Sequence, residues 1–308
     1  MSSVAQFSTC ARRFEDAPSG FREVLLQHID ESENVKHLIY SPAFVIGKFR
    51  TLASVLCVTD KRWLIALREN DGRIRIDDCS YDRTLLAELT IILLHGQLKI
   101  DYTLNGEARS TACQFNTVME RVYFRALQDI LKAIDGNEKV PTNQDWRNSP
   151  ILESWPIKFR NVSIIYAPKN SYLVDGVYLA EVCGMFHRQL APAAAILLTD
   201  RHIIIIAEGK PTGWFQFRHR PTYGEIITYF PLSELAYCHV RLGKRFGILE
   251  LGVRRGGKLE IMFPRDAEER VHGLAKTRRV TFSQIKKFVR RSGYLSFALA
   301  MFDEFHES

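Results

Sequence analysis

The feature that most constrains the fold of this chain is a pattern that occurs twice: two apolar runs separated by a Thr-Asp-basic sequence. The first copy spans residues 56–67 (LCVTDKRWLIAL) and the second spans 196–207 (ILLTDRHIIIIA). Short apolar, largely β-branched runs joined by a few polar residues predict a β-hairpin, and Asp tolerates the positive φ of a tight turn. We therefore expect turns at Thr59-Asp60 and Thr199-Asp200, and two copies of one small module.

The correspondence continues downstream of each hairpin. Residues 86–89 (LAEL) match 232–235 (LSEL), and 96–102 (GQLKIDY) then match 247–253 (GILELGV). The latter pair alternates apolar and polar residues, which is the period of a half-buried strand. Each copy is thus expected to continue as a meander of antiparallel strands.

A glycine turn and a returning strand follow in both copies. The turns are Asn105-Gly106 and Gly256-Gly257, and the returning strands end at Phe115 and Phe263. Asn-Gly and Gly-Gly pairs suit hairpin turns because both residues accept positive φ.

Each copy is expected to close with a helix. In the first copy, Thr117-x-x-Glu120 has the spacing of a capping box. In the second copy, Asp266-x-x-Glu269 gives the starting signal. The apolar residues at helical spacing are Val118, Val122, Leu127, Ile130, Leu131 and Ile134 in the first helix, and Val271, Leu274 and Ala275 in the second.

This order of elements resembles the bacterial pleckstrin-homology-like (PH-like, GRAM-like) family, over roughly residues 33–134 and 172–276. The second copy carries the motifs best, in 198–201 (LTDR) and 230–235 (FPLSEL), whereas the first has 85–89 (LLAEL) where the family has the Pro-containing segment. The resemblance implies a mainly β, α+β fold of two tandem PH-like split barrels. Each would be a seven-stranded antiparallel meander closed by a C-terminal helix.

We expect five segments along the chain. They are an N-terminal segment with a short helix (1–32), module 1 (33–134), a linker (135–171), module 2 (172–279) and a C-terminal amphipathic helix (280–308). Residues 135–150 of the linker are polar and contain Gly and Pro. Trp146 and Trp155 are expected to pack it against one of the modules.

No local signature of catalysis is present, and we expect no enzymatic activity, no cofactor and no metal. The six cysteines (Cys10, Cys57, Cys79, Cys113, Cys183 and Cys238) are far apart, which argues against zinc and against a disulfide framework. Residues 252–258 (GVRRGGK) have phosphate-loop spacing, but Leu259 replaces the required Ser or Thr. The start lacks an apolar signal core, so we expect a cytoplasmic protein, with peripheral membrane association as an option.

The positive charge is concentrated near the C-terminus. The whole chain carries +7, yet residues 241–291 contain fifteen Lys or Arg and five Asp or Glu. Such asymmetry suggests an anionic partner, either a membrane surface or an acidic protein. The candidate ligand-binding residues are Lys244, Arg245, Arg254, Arg255, Lys258, Lys286, Lys287, Arg290 and Arg291.

A loop of alternating aromatic and basic residues, 214–220 (WFQFRHR), is a second candidate contact. Its residues Trp214, Phe217, Arg218 and Arg220 could stack on bases or engage a partner; an extra hairpin packed on the domain is the alternative. Three functions therefore stay open. The first is a non-enzymatic binding or scaffold protein with an anionic partner, the second is a self-associating assembly module forming a homo-oligomer, and the third is a nucleic-acid binder.

Overall fold

Nineteen strands, all paired antiparallel, and five helices make up the described part of the chain. The structure is a computed structural model, and it describes residues 9–11, 16–30, 32–46, 49–136, 145–169, 171–184, 189–208 and 224–277. We refer to residues 9–136 as the first half and to residues 145–277 as the second half. The predicted mainly β, α+β fold class is confirmed.

The first half begins with a short strand and a helix and ends with a longer helix. Its strands are β1 (Thr9–Ala11), β2 (Val35–Ser41), β3 (Val45–Ile46), β4 (Phe49–Arg50), β5 (Ser54–Thr59), β6 (Arg62–Arg68), β7 (Ile74–Ser80), β8 (Thr84–Ile92), β9 (His95–Leu104) and β10 (Glu107–Asn116). Its helices are α1 (Ser19–His28), before β2, and α2 (Glu120–Ile134), after β10.

The second half has the same succession of helix, strands and helix. It opens with α3 (Pro150–Glu153) and α4 (Ile157–Ile165) and closes with α5 (268–277). Its strands are β11 (Leu173–Leu179), β12 (Val182–Cys183), β13 (Gln189–Ala191), β14 (Ala194–Thr199), β15 (His202–Glu208), β16 (Gly224–Pro231), β17 (Leu235–Leu242), β18 (Phe246–Val253) and β19 (Lys258–Pro264).

The strands form three main sheets, and the middle sheet takes strands from both halves. A five-stranded sheet (β1-β2-β5-β6-β7) lies in the first half and a three-stranded sheet (β17-β18-β19) in the second. The seven-stranded sheet has the order β10-β9-β8-β16-β15-β14-β11. Its two parts join where β8 pairs with β16, from Ile92 opposite Gly224 to Ala87 opposite Tyr229.

This shared sheet departs from the expectation of two separate barrels. Each half does contribute seven main strands, but within the described residues no sheet closes on itself. The strand pattern could not predict the pairing of β8 with β16, because alternation of apolar and polar residues looks the same in a free edge strand and in a paired one.

The core of the first half lies between the five-stranded sheet and strands β8–β10. Trp63 and Ile65 from the first layer meet Leu98 and Ile100 from the second, and α2 closes the end of this layer pair. The Phe115 ring stacks on Tyr123 of α2 with centroids 3.9 Å apart. On the opposite face of the five-stranded sheet, α1 buries its apolar side against β5 and β6.

The second half is layered in the same way. Ile203 and Ile205 on one face of the seven-stranded sheet pack against Leu249 of the three-stranded sheet and against α5. The other face is covered by residues 145–166, in which Trp146 and Trp155 are both buried. Their predicted packing is confirmed, and the expected linker contains two helices that complete this core.

Helices α1 and α4 begin with similar sequences and occupy corresponding places. Pro18 precedes Phe21-Arg22 and Pro156 precedes Phe159-Arg160, each with two residues between. The Pro18 carbonyl accepts hydrogen bonds from the amides of Phe21 (2.9 Å) and Arg22 (3.1 Å), and the Pro156 carbonyl accepts one from Arg160 (3.0 Å). Proline suits the start of a helix because the first amides have no partner within it. Phe21 and Phe159 are both buried beneath their sheets.

The two Thr-Asp turns are confirmed, although neither Asp60 nor Asp200 has the positive φ expected of it, and two hydrogen bonds recur in both turns. The Asp60 carboxylate accepts from the Asn34 amide at 3.0 Å, and the Asp200 carboxylate accepts from the Tyr172 amide at 3.0 Å. In both turns the Thr hydroxyl donates to a carbonyl three residues on, at 3.1 Å. Asp therefore serves here as a turn residue that fastens the preceding strand.

Three local expectations were wrong. Residues 86–89 do not correspond to 232–235: they lie inside β8, whereas Leu232–Glu234 form a 3₁₀ turn whose counterpart is Tyr81–Arg83. The Thr117 hydroxyl does not cap α2 but donates to the Leu93 carbonyl, while the Asn116 side chain accepts from the Val118 amide. Val118 is exposed because it precedes the regular helix.

Candidate functional site

The outer face of the three-stranded sheet holds two of the second half's basic residues in a charge network. Lys258 lies 3.3 Å from a Glu250 oxygen and 2.9 Å from a Glu260 oxygen, and Arg241 contacts the same two carboxylates at 3.0 and 2.6 Å. The hydrogen bonds from Lys258 to Glu260 and Glu250 raise the pKa of Lys258. A hydrogen bond from the Tyr237 hydroxyl lowers the pKa of Glu250. Lys258 is thus balanced by carboxylates and is poorly placed to attract an anion.

Arg255 connects the two halves. From the β18–β19 turn, its guanidinium donates to the Asp82 carbonyl at 2.9 Å and to the Thr103 hydroxyl at 3.3 Å, both in the first half. It also lies 3.9 Å from the buried Glu234, whose pKa is raised by burial. The exposed Arg254 precedes it, and its amide donates to the Glu234 carbonyl at 2.8 Å. Arg255 therefore contacts residues in both halves of the chain, and its role is structural.

Lys244 and Arg245 are exposed at the turn between β17 and β18. The Gly243 amide donates to the Phe246 carbonyl at 2.9 Å, which fixes the turn, and Arg265 donates to the Gly243 carbonyl at 3.3 Å. Of the predicted ligand-binding residues that the structure describes, these two have the most accessible charge. The remaining candidates, Lys286, Lys287, Arg290 and Arg291, and the loop residues Trp214, Phe217, Arg218 and Arg220, lie outside the described residues.

Sequence reasoning missed a buried charged cluster where α2 meets β15. Asp135, at the end of α2, lies 3.3 Å from Nε2 of His202 and 3.9 Å from the Arg201 guanidinium. Arg201 also donates to the Asp135 carbonyl at 3.3 Å and lies 3.4 Å from Asp200. His202 is fully buried. Since 67 residues separate Asp135 from His202 along the chain, no local signal could have found the pair.

Burial dominates the ionisation of this cluster. It raises the pKa of Asp135 from 3.8 to about 7, against the opposing effect of Arg201. It lowers the pKa of His202 from 6.5 to about 3, and Arg201 acts in the same direction. Both residues favour their uncharged forms, because a low-dielectric site penalises the charged ones. The cluster joins the end of α2 in the first half to the start of β15 in the second, so it lies at the junction between the halves.

A small apolar crevice lies inside the second half, between the sheets and α5. Its lining consists of Ile196, Leu198, Ile203, Cys238, Leu249, Leu251, Leu274 and Ala275. It offers no polar group to orient a ligand. Elsewhere, Cys57, Cys79 and Cys113 are buried, and burial raises the pKa of each thiol to about 12, so they are unreactive core residues.

In the part of the chain that the structure describes, no three His, Cys, Asp or Glu side chains cluster as a metal site would require. None of its helices is long and apolar enough to cross a membrane.

Comparison with known proteins adds no assignment: no protein-family model matches the chain, and no curated protein matches it significantly.

Proposed function

We propose that this chain is a non-enzymatic binding or scaffold protein made of two tandem PH-like modules, and that its second module engages an anionic partner. The observation that carries the modular part is that the Thr59-Asp60 and Thr199-Asp200 turns share two hydrogen bonds, one to the Asp carboxylate and one from the Thr hydroxyl. Four main strands, a 3₁₀ turn, three strands and a helix follow one another in both halves, which supports the same reading.

The anionic partner is supported by the exposed charges of Lys244 and Arg245, and by the basic sequence 278–291 that continues from α5. Of the surplus of ten positive charges in residues 241–291, six come from residues 278–291. We favour an anionic lipid surface as the partner, since many basic residues along the sequence suit a diffuse field of phosphates better than a single ligand.

Co-sedimentation with vesicles of mixed neutral and anionic phospholipid tests the proposal. The chain is expected to bind at low ionic strength and to dissociate as salt is added. Replacing Lys244 and Arg245 by Gln removes two charges worth about 1 kcal/mol each, so the partition coefficient should fall roughly 30-fold. Replacing Lys286, Lys287, Arg290 and Arg291 by Gln should weaken binding further.

The matched control replaces Arg121 and Arg125 by Gln. Both are exposed on α2, so this variant has the same net charge as the first variant but carries the change in the first half. It should bind vesicles nearly as well as wild type. Absence of binding at low salt, or equal losses in the two double variants, would contradict a basic surface in the second module.

A further inference from the structure

We propose that copies of this chain assemble head to tail, with β17 of one molecule pairing antiparallel with β7 of the next. The inference rests on the proposed equivalence of the two modules. It specifies the partner as a second copy of the chain, and the contact as one that the chain already makes once within itself.

The internal contact is the pairing of β8 with β16. In the first half, the 3₁₀ turn Tyr81–Arg83 connects β7 to β8; in the second half, the turn Leu232–Glu234 connects β16 to β17. The register of β8 on β9 shifts between Thr84 and Leu86, and that of β17 on β18 shifts between Leu235 and Tyr237. Strand β17 is therefore the counterpart of β8, and β7 is the counterpart of β16.

Each of these two strands lies at the edge of its sheet, with no described strand paired on its outer side. Among the described residues, β7 pairs only with β6 and β17 pairs only with β18. An edge strand presents a row of unpaired backbone N–H and C=O groups that can extend a sheet. The edge of β17 is therefore equivalent to that of β8, and the edge of β7 is equivalent to that of β16, the two strands that pair at the internal junction.

Apolar side chains at these two edges are more exposed to solvent than their counterparts where β8 pairs with β16. In β8, Leu89 is fully buried and Ile91 is 9% exposed. Their counterparts in β17 are Val240, which is partly exposed, and Leu242, which is 41% exposed.

The same contrast holds on the other side. Ile227 of β16 is fully buried, whereas its counterpart Ile76 in β7 is only partly buried, as is Ile74. Pairing β17 with β7 would cover apolar groups on both strands.

Transferring the β8–β16 register predicts the intermolecular pairs. Val240 would lie opposite Ile76, Leu242 opposite Ile74, and His239 opposite Asp77. Arg241 would lie opposite Arg75, a like-charge pair. Both arginines already contact carboxylates, Arg75 at Asp77 (3.2 Å) and Glu69 (3.7 Å), and Arg241 at Glu250 and Glu260. These contacts reduce the repulsion across the pair.

The contact uses different surfaces on the two molecules, so it is heterologous. Such a contact leaves a free β7 and a free β17 at the ends of every dimer, and growth continues until a ring closes or a filament forms. The expected behaviour is a mass that rises with concentration instead of stopping at a closed dimer.

Light scattering coupled to gel filtration of the full chain, over two decades of concentration, gives the first test. The mass should rise above the monomer value of 35.5 kDa as concentration increases. Leu242→Lys should hold the protein at the monomer mass, because the pairing would place the lysine against Ile74. Leu190→Lys is the matched control, since Leu190 is 44% exposed in β13 and away from both edges. A wild-type monomer at every concentration would overturn the proposal.

Site-specific cross-linking gives the second test, and it does not depend on the lysine variants. One chain carries Ile76→Cys and a second carries Val240→Cys, both in a background with Cys10→Ser, Cys183→Ser and Cys238→Ala, since Cys238 is a partly exposed thiol on β17 itself. Directly opposed residues of an antiparallel pair are close enough for a disulfide, so mixing and mild oxidation should give a covalent dimer.

The pair Ile76→Cys with Leu242→Cys is the control for register. Its positions are diagonal neighbours and too far apart for efficient bonding. Equal yields from both pairs, or no covalent dimer from either, would overturn the proposed register. Vesicle binding is measured separately, so failed assembly with intact lipid binding would refute this inference and leave the proposed function standing.

Discussion

Removing either member of the Asp135–His202 pair is expected to expose opposite pH dependences of stability. In the folded chain the pKa of Asp135 is raised to about 7 and that of His202 is lowered to about 3. Between about pH 4 and pH 6.5, the folded pair holds one proton on the acid, and the unfolded pair holds one on the imidazole. Because the proton counts match, the pair leaves the wild-type free energy of unfolding unchanged across this range.

Each single variant breaks this balance. In Asp135→Asn, the unfolded His202 binds a proton that the folded one does not, so the free energy of unfolding decreases as pH falls below 6.5. In His202→Asn, the folded Asp135 keeps a proton that the unfolded carboxyl releases, so stability increases as pH falls from about 7 toward 4. Each slope is at most about 1.4 kcal/mol per pH unit, and the two variants should diverge by about 3 kcal/mol per unit.

Urea denaturation at closely spaced pH values measures these slopes as differences from wild type. Subtracting the wild-type curve removes the contribution of all other titrating groups. The double variant Asp135→Asn/His202→Asn is the control and should run parallel to wild type. If both single variants also run parallel to wild type, burial does not hold the two groups in their uncharged forms, and the reasoning fails.

Two further predictions concern packing in the core. A Cβ on Gly96 would lie 2.2 Å from the Phe115 ring, and a Cβ on Gly247 would lie 2.2 Å from the Phe263 ring. Gly96→Ala and Gly247→Ala should therefore each reduce the free energy of unfolding by about 1–3 kcal/mol, as measured by thermal and urea denaturation. Gly273→Ala in α5 is the control: it has open space and should increase the free energy of unfolding by about 0.5–1 kcal/mol. Tyr229→Phe should cost about 1–2 kcal/mol in the same assay, because the buried Tyr229 hydroxyl donates to the Tyr166 carbonyl at 2.8 Å; unchanged stability would contradict that role.

The sequence predicts local structure well where one short segment determines it. The hairpins at Thr59-Asp60 and Thr199-Asp200 are confirmed because polar turn residues interrupt strongly apolar runs. The turns at Asn105-Gly106 and Gly256-Gly257 are confirmed by the positive φ of these glycines. Strand content and the two closing helices follow from the same local periodicities.

Features that depend on distant residues could not be predicted in this way. The pairing of β8 with β16 brings together segments more than 130 residues apart, and neither strand differs in pattern from a free edge. The neutralisation of Lys258 depends on Glu260, two residues on in the same strand, and on Glu250 of the neighbouring strand β18, and the contribution of Glu250 becomes visible only once the register is known. The role of residues 145–166 was hidden for another reason: residues 135–150 have the polar composition of a linker, and they precede the apolar segment in which Trp155 and Phe159 are buried.

The most direct test of the central claim, that the two halves share one sheet, is hydrogen exchange of the full chain followed by mass spectrometry. The account predicts that peptides covering β8 and β16 exchange as slowly as those covering their inner neighbours β9 and β15, because every strand in this part of the sheet is paired on both sides. Peptides covering the free edges β7 and β17 should exchange faster at concentrations where the chain is a monomer. Exchange of β8 and β16 at the rate of those free edges would contradict the shared sheet.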